Sequence, residues 1–255
     1  MTQIQQGGLF HKVEKNIECS YVSTNRHGGA GKGIFSTNNM SYGVGDEVVT
    51  VTENRRLLKR QLRLDALLSA KQNHGTEVFC LTETLQTDLE VSGFDALVTD
   101  KTDVGLMIQQ ADCQAVLLYD PVQSVIAAVH CGWRGSVKNI LAQTIAVMAS
   151  EYGVNPADLL GRISPSLGPC CAEFVHYQSE LPEEFTVFMI RNNYFDFWQI
   201  SRQQLMSAGM AGERIATAGI CTCCSMDYYS YRRACRENEG RTGRNSSVIY
   251  LKKRQ

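Results

Sequence analysis

Cys113 and His130 stand at the outer ends of two short apolar runs, residues 115–119 and 124–129, separated by Asp120-Pro121-Val122-Gln123. Asp first and Pro second is the preference of a type I turn. Apolar runs of this length are too short for a buried helix, so the segment reads as an antiparallel hairpin buried on both faces. A four-residue turn pairs Tyr119 with Ser124, Leu117 with Ile126 and Ala115 with Ala128, and the extended ladder sets Cys113 opposite His130. Directly opposed side chains have Cβ atoms about 5 Å apart, within reach of one metal ion. A thiol beside an imidazole supports two chemistries. One is ligation of zinc or copper; the other is nucleophilic catalysis by a thiolate with the imidazole as base. Singly, each residue has a plainer role, as a buried thiol or a satisfied core histidine. The remaining histidines, His11, His27, His74 and His176, are all open as a third ligand, and periodicity does not choose among them.

The elements that must position this pair follow from pattern. Residues 53–68 carry Leu57, Leu58, Leu62 and Leu68 among Arg and Lys, which predicts an amphipathic helix. Residues 95–99 read as a short strand. Beyond Gly135, the positions Val137, Ile140, Leu141, Ile145 and Met148 predict a helix with Ser136 as its N-cap and Gly153 just past its end. Asn155-Pro156 opens a further short helix. Residues 215–251 read as strand and loop with clustered Cys, Tyr and Arg. The stretch Gly28, Gly29, Gly31, Gly33 matches neither a P-loop nor a dinucleotide fingerprint, and reads as a loop needing positive φ, with a backbone able to face an anion. Helices and strands intermix without regular βαβ alternation. The expected fold is α+β, a single domain over 1–255 with mixed or antiparallel sheets packed with helices, and the metal site at the end of the central hairpin.

The chain has 255 residues, 25 Lys+Arg against 26 Asp+Glu, and 44% hydrophobic residues. That balance excludes a chain-wide basic field for nucleic acid, and the apolar content excludes disorder. No run approaches the roughly 20 apolar residues of a membrane helix, and residues 1–20 lack the apolar core of a secretory signal. The expected compartment is the cytoplasm, with the ten cysteines reduced. Cys221, Cys223, Cys224 and Cys235 form a second candidate metal cluster, but their C-x-CC spacing is not read as a zinc-ribbon knuckle, and buried thiols are the favoured reading. The vicinal pair Cys170-Cys171 is read as structural.

Ala111-Asp112-Cys113 followed by Ala127-Ala128-Val129-His130-Cys131-Gly132-Trp133-Arg134-Gly135 resembles the signature of the laccase-domain family, the purine nucleoside phosphorylase-type proteins once called polyphenol oxidases. Further matching stretches are Gln72-Asn73-His74-Gly75, Phe94 to Thr99, Leu167 to Cys171, Tyr231-Arg232-Arg233 and Thr242-Gly243-Arg244, with Arg26-His27-Gly28-Gly29 and Asn54-Arg55 on the N-terminal side. Two departures stand out: Asn25 separates Thr24 from Arg26, and Cys131 occupies the small position before Gly132-Trp133. Strand alternation turns Cys131 to the face opposite His130.

The resemblance implies one zinc on His74, Cys113 and His130, a three-ligand set with an open fourth position; copper is the less favoured metal. It implies phosphorolysis of adenosine, inosine and methylthioadenosine, with adenosine deamination as a second activity. The partners are then purine nucleosides and phosphate, with no nucleic acid and no membrane. Arg26, Asn39 and Arg134 are the implied substrate and phosphate residues, Arg26 acting with the glycine-rich amides. Rival readings are a copper-dependent phenol oxidase, a Cys113–His130 hydrolase and a non-catalytic protein stabilised by zinc.

Overall fold

The structure is a computed structural model and describes residues 4–9 and 17–253. His11 lies outside the described residues. The first half of the chain forms β1 (Ile4–Leu9), β2 (Ile17–Thr24), α1 (Val48–Leu62), β3 (Ala66–Lys71), β4 (Val78–Leu81), β5 (Leu89–Ser92) and β6 (Ala96–Thr99). Then come β7 (Val104–Gln110), β8 (Gln114–Asp120), β9 (Val125–Cys131), α2 (Trp133–Val137), α3 (Ile140–Tyr152) and β10 (Leu160–Ile163). The last part holds α4 (Tyr177–Glu180), β11 (Met189–Arg191), β12 (Tyr194–Phe195), α5 (Phe197–Ser207), β13 (Ile215–Thr217), α6 (Tyr231–Glu237) and β14 (Asn245–Lys253).

Two six-stranded mixed sheets form, ordered β1-β2-β14-β7-β3-β5 and β13-β10-β8-β9-β6-β4. Between them lies a core in which Leu117, Tyr119, Ile126 and Ala128 pack with Leu106, Ile108 and Ile249. The alternate residues Val116, Leu118, Ala127 and Val129 meet Ile140, Leu141 and Ile145 of α3 and Leu205 of α5. Met107 and Val248 face α1 through Leu58 and Leu62. Every residue of β7, β8 and β9 is therefore buried, and these strands read as continuous apolar runs because both faces are covered. Truncating a leucine here to alanine costs about 2–5 kcal/mol.

The α+β class and the central hairpin agree with expectation, but four local expectations do not. The hairpin pairs Asp120 with Val125, Leu117 with Ala128 and Ala115 with His130, so the ladder slides by two residues and Cys113 lies just beyond it. The loop holds residues 121–124, with Ser124 at φ 60°. The predicted helix over 53–68 begins earlier and ends at Leu62, where Arg63 turns left-handed (φ 55°); Leu68 belongs to β3. Ser136 is not an N-cap, because α2 stops at Val137 and Asn139 (φ 55°) caps α3 by accepting from the Ala142 amide. Gly153 closes α3 in the left-handed conformation, and Asn155 accepts from Ala157 to start a 3-10 turn. Residues 231–237 form α6, in a stretch expected to be strand and loop. Among the described residues no helix is long and apolar enough to cross a membrane.

Candidate metal centre and its cleft

The shift of two residues preserves side-chain parity, so Cys113 and His130 still share a face, diagonally rather than directly opposed. His74 reaches the same point from the loop after β3, with φ 61°. The ligand-capable atoms of His74, Cys113 and His130 lie within 4.8 Å of one another. Cys113 Sγ stands 4.0 Å from His74 Nε2, and the two imidazoles meet edge to face at 4.8 Å.

Asp95, at the start of β6, organises the group. Its buried carboxylate accepts from His130 Nδ1 at 2.7 Å, from the His74 amide at 3.0 Å, and from the amides of Asn73 and Gly75 at 3.1 and 2.9 Å. An ionised carboxylate only accepts, so the His130 Nδ1 carries the proton and Nε2 remains as the ligand atom. A carboxylate behind a ligating histidine is the usual support of a metal site. Burial works against the Asp95 charge, but the His130 hydrogen bond and the loop amides outweigh it and hold the carboxyl down to about 2.

Burial likewise opposes ionisation of Cys113, yet His130 and His74 together bring the thiol down to about 6. His130 is desolvated too, and Cys113 with Asp95 nevertheless raise it to about 9. Cys113 and His130 thus favour each other's charged forms, and a metal bound here would take the place of the proton on His130 Nε2. Asp112 fixes the Cys113 backbone from a left-handed conformation (φ 87°). Its carboxylate accepts from Thr222 Oγ1 at 2.7 Å and Ser230 Oγ at 3.0 Å, and also from the Arg232 amide. Gly132 is required by close approach, since a Cβ there would sit 2.8 Å from Cys113 Sγ. Cys131 turns away into the α3-side core, beside Ser136 Oγ at 3.3 Å, and burial pushes its thiol up to about 11.

One thiolate and two imidazoles, with a carboxylate supporting one of them, are a donor set that can hold a transition-metal ion. The set sits where two cavities meet. One, of about 740 Å³, is lined on its polar side by Lys71, Gln72, Glu90, Arg134 and Arg244. The other, of about 450 Å³, has Trp133, Phe174, His176 and Phe197 in its walls. His74, Cys113, Arg134 and Tyr231 border both. Arg134 stacks over Trp133 at 4.2 Å, and Trp133 meets Phe174 edge-on at 6.2 Å.

Two expected substrate residues are not brought to this cleft. Arg26 lines a separate cavity of about 240 Å³, with Nε donating to the Ser36 carbonyl at 3.0 Å and the guanidinium over Tyr229 at 5.0 Å. Asn39 is fully buried; its amide nitrogen donates to Ser41 O and Asp46 Oδ2, and its oxygen accepts from the Ser41 and Arg244 amides. It acts on the cleft indirectly, by fixing the backbones of Ser41 and Arg244, which line the larger cavity. Three amides of the glycine-rich loop already have acceptors within the protein: Gly29 and Gly31 donate to Thr37, and Ala30 to Asn54. Asp95, Asp112 and Arg244 are the positions that sequence spacing alone does not flag.

The second cysteine group also differs from expectation. Cys223 is buried, its carbonyl taken by Arg233, and Cys235 borders the aromatic cavity. Cys221 and Cys224 instead join Cys170 and Cys171.

The chain as a whole is similar to known proteins. A protein named purine nucleoside phosphorylase from Corynebacterium glutamicum is 32% identical over 251 residues, covering 94% of this chain and 97% of its own. One of the same name from Bacteroides thetaiotaomicron is 29% identical, covering 88% and 90%. The crystal structure of Bacillus licheniformis hypothetical protein YfiH superposes with a TM-score of 0.82 at 27% identity, covering 94% of this chain and 97% of that one. YlmD from Geobacillus stearothermophilus gives 0.80 at 27%, covering 92% of each. Residues 20–252 match the sequence model of the family described as multi-copper polyphenol oxidoreductase laccase, and the chain belongs to that family.

Proposed function

We propose that this protein is a zinc-dependent purine nucleoside phosphorylase that cleaves adenosine, inosine and methylthioadenosine, and deaminates adenosine at the same site. The observation that carries the reading is the meeting of the His74, Cys113 and His130 donors with two cavities of different character, one cationic and one aromatic. A nucleoside with phosphate needs both: apolar walls for the purine and cations for the anion. The relatives' shared name, purine nucleoside phosphorylase, supports the same assignment.

His74 Nε2, Cys113 Sγ and His130 Nε2 would hold the zinc, which when bound supplies Lewis-acid polarisation. Zinc is favoured over copper because three protein donors that leave a fourth position open are the arrangement of a catalytic zinc site. In phosphorolysis a phosphate oxygen attacks ribose C1′ and the bond to the purine nitrogen breaks, giving free base and ribose 1-phosphate. Arg134 and Arg244 would clamp the phosphate from the cationic wall, and Trp133 with Phe174 would receive the purine. Asp95 holds the ligand imidazole in one tautomer throughout. Deamination replaces the 6-amino group with oxygen from water and needs no phosphate. All ten cysteines are free of disulfides, and we assign the activity to the reducing cytoplasm.

The test is product formation from adenosine and inosine with and without phosphate. Adenine and hypoxanthine should appear only with phosphate, while inosine should form from adenosine in either case. Base release without phosphate would make the enzyme a hydrolase instead.

A further inference from the structure

Four cysteines from two loops converge on the surface near α6. Cys170 and Cys171 follow β10 in the turn Gly168-Pro169-Cys170-Cys171, and Cys221 and Cys224 lie in the segment leading to α6. Their sulfurs all lie within 4.8 Å of one another. Cys224 Sγ stands 3.5 Å from Cys170 Sγ and 3.4 Å from Cys171 Sγ, far longer than a disulfide. Four thiolates around one zinc at 2.3 Å have tetrahedral edges of about 3.8 Å, the scale of this cluster. An iron–sulfur cubane places each thiolate on a different iron and needs a wider cage.

We propose that Cys170, Cys171, Cys221 and Cys224 form a second, structural zinc site. Read across the buried Cys223, residues 221 and 224 have the C-x2-C spacing of a zinc knuckle, closed by the Ser225 amide on the Cys221 carbonyl at 3.0 Å. The segment Ser166–Gly168 runs directly against Cys221. Gly168 is needed for this approach, since a Cβ there would stand 2.8 Å from Cys221 Cβ. Apolar burial does not explain the gathering, because Cys170 and Cys224 are exposed. That exposure also opens a path for the ion.

The site acts as a staple for the catalytic cleft. Cys221 forms a bridge with Ser166, and Thr222 donates its amide to Ser166 and its hydroxyl to Asp112, next to Cys113. Fixing Cys221 therefore fixes the partner that holds Asp112 in place.

Zinc per chain, measured by elemental analysis after purification without chelator, tests the proposal. The parent should carry two zinc ions and Cys170→Ser/Cys224→Ser one. His74→Ala/His130→Ala should retain one, and its cobalt derivative should show strong thiolate-to-cobalt absorption typical of four sulfur ligands. The double-histidine variant decides the matter even where the cysteine variant fails to fold. A metal-free histidine variant, iron in place of zinc, or a disulfide within the tetrad would each overturn the assignment, whereas one zinc in the parent that the histidine variant retains would overturn only the zinc at His74, Cys113 and His130.

Discussion

Asp95 binds His130 side chain to side chain at 2.7 Å and, through the same oxygen, receives the backbone amide of His74 at 3.0 Å. One buried carboxylate thus sets the tautomer of one proposed ligand and the position of another. Asp95→Asn should keep the fold but present an amide to donors that need an acceptor. Zinc affinity, read by competition with a chromogenic chelator, should fall about 10- to 100-fold. Unchanged affinity would show that the carboxylate does not serve the site.

Cys113→Ala should lose both the metal of this site and nucleoside turnover, while Cys223→Ala should keep both. Removing one of three ligands weakens binding severely, whereas a buried thiol loses only packing. Elemental analysis beside an activity assay checks the pair of variants.

Stripped of metal, the protein should show Cys113 alkylated faster than Cys131 at neutral pH. The Cys113 thiol lies near 6 and Cys131 near 11, and the thiolate is the reacting form. Alkylation of Cys113 should slow as pH falls through about 6, because protonation removes the nucleophile, and added zinc should protect it. Peptide mapping by mass spectrometry after iodoacetamide reads each site.

Arg134→Ala and Arg244→Ala should depress phosphorolysis far more than deamination. A charged hydrogen bond contributes about 1.5–3 kcal/mol, so the expected loss is on the order of 10- to 100-fold in kcat/KM for phosphate. Arg26→Ala should leave both reactions near parent level, since Arg26 lines a different cavity. Equal loss of both activities in the Arg134 variant would move that residue from phosphate to purine or fold.

The hairpin was legible in sequence because continuous apolar runs and Asp120-Pro121 leave few alternatives, and its register was not. Ser124 takes the left-handed conformation and joins the loop instead of the strand, sliding the ladder by two. An even slip keeps each side chain on its face, which is why Cys113 and His130 still meet. Spacing does not single out Asp95, because its role exists only when the 73–75 loop folds over β6 and β9. The cysteine tetrad was hidden for a similar reason: Cys223 masked the 221–224 spacing, and Cys170 and Cys171 arrive from a distant loop. Arg26 opens a matching stretch, but its guanidinium is turned to Ser36 and Tyr229.

The most direct measurement follows adenosine and phosphate consumption together in the parent enzyme, after metal removal, and after zinc is restored. The expected result is adenine and ribose 1-phosphate in equal amounts with phosphate consumed, loss of both on stripping, and recovery with zinc but not in His130→Ala. Full turnover by the stripped enzyme would contradict a zinc-dependent phosphorylase at His74, Cys113 and His130.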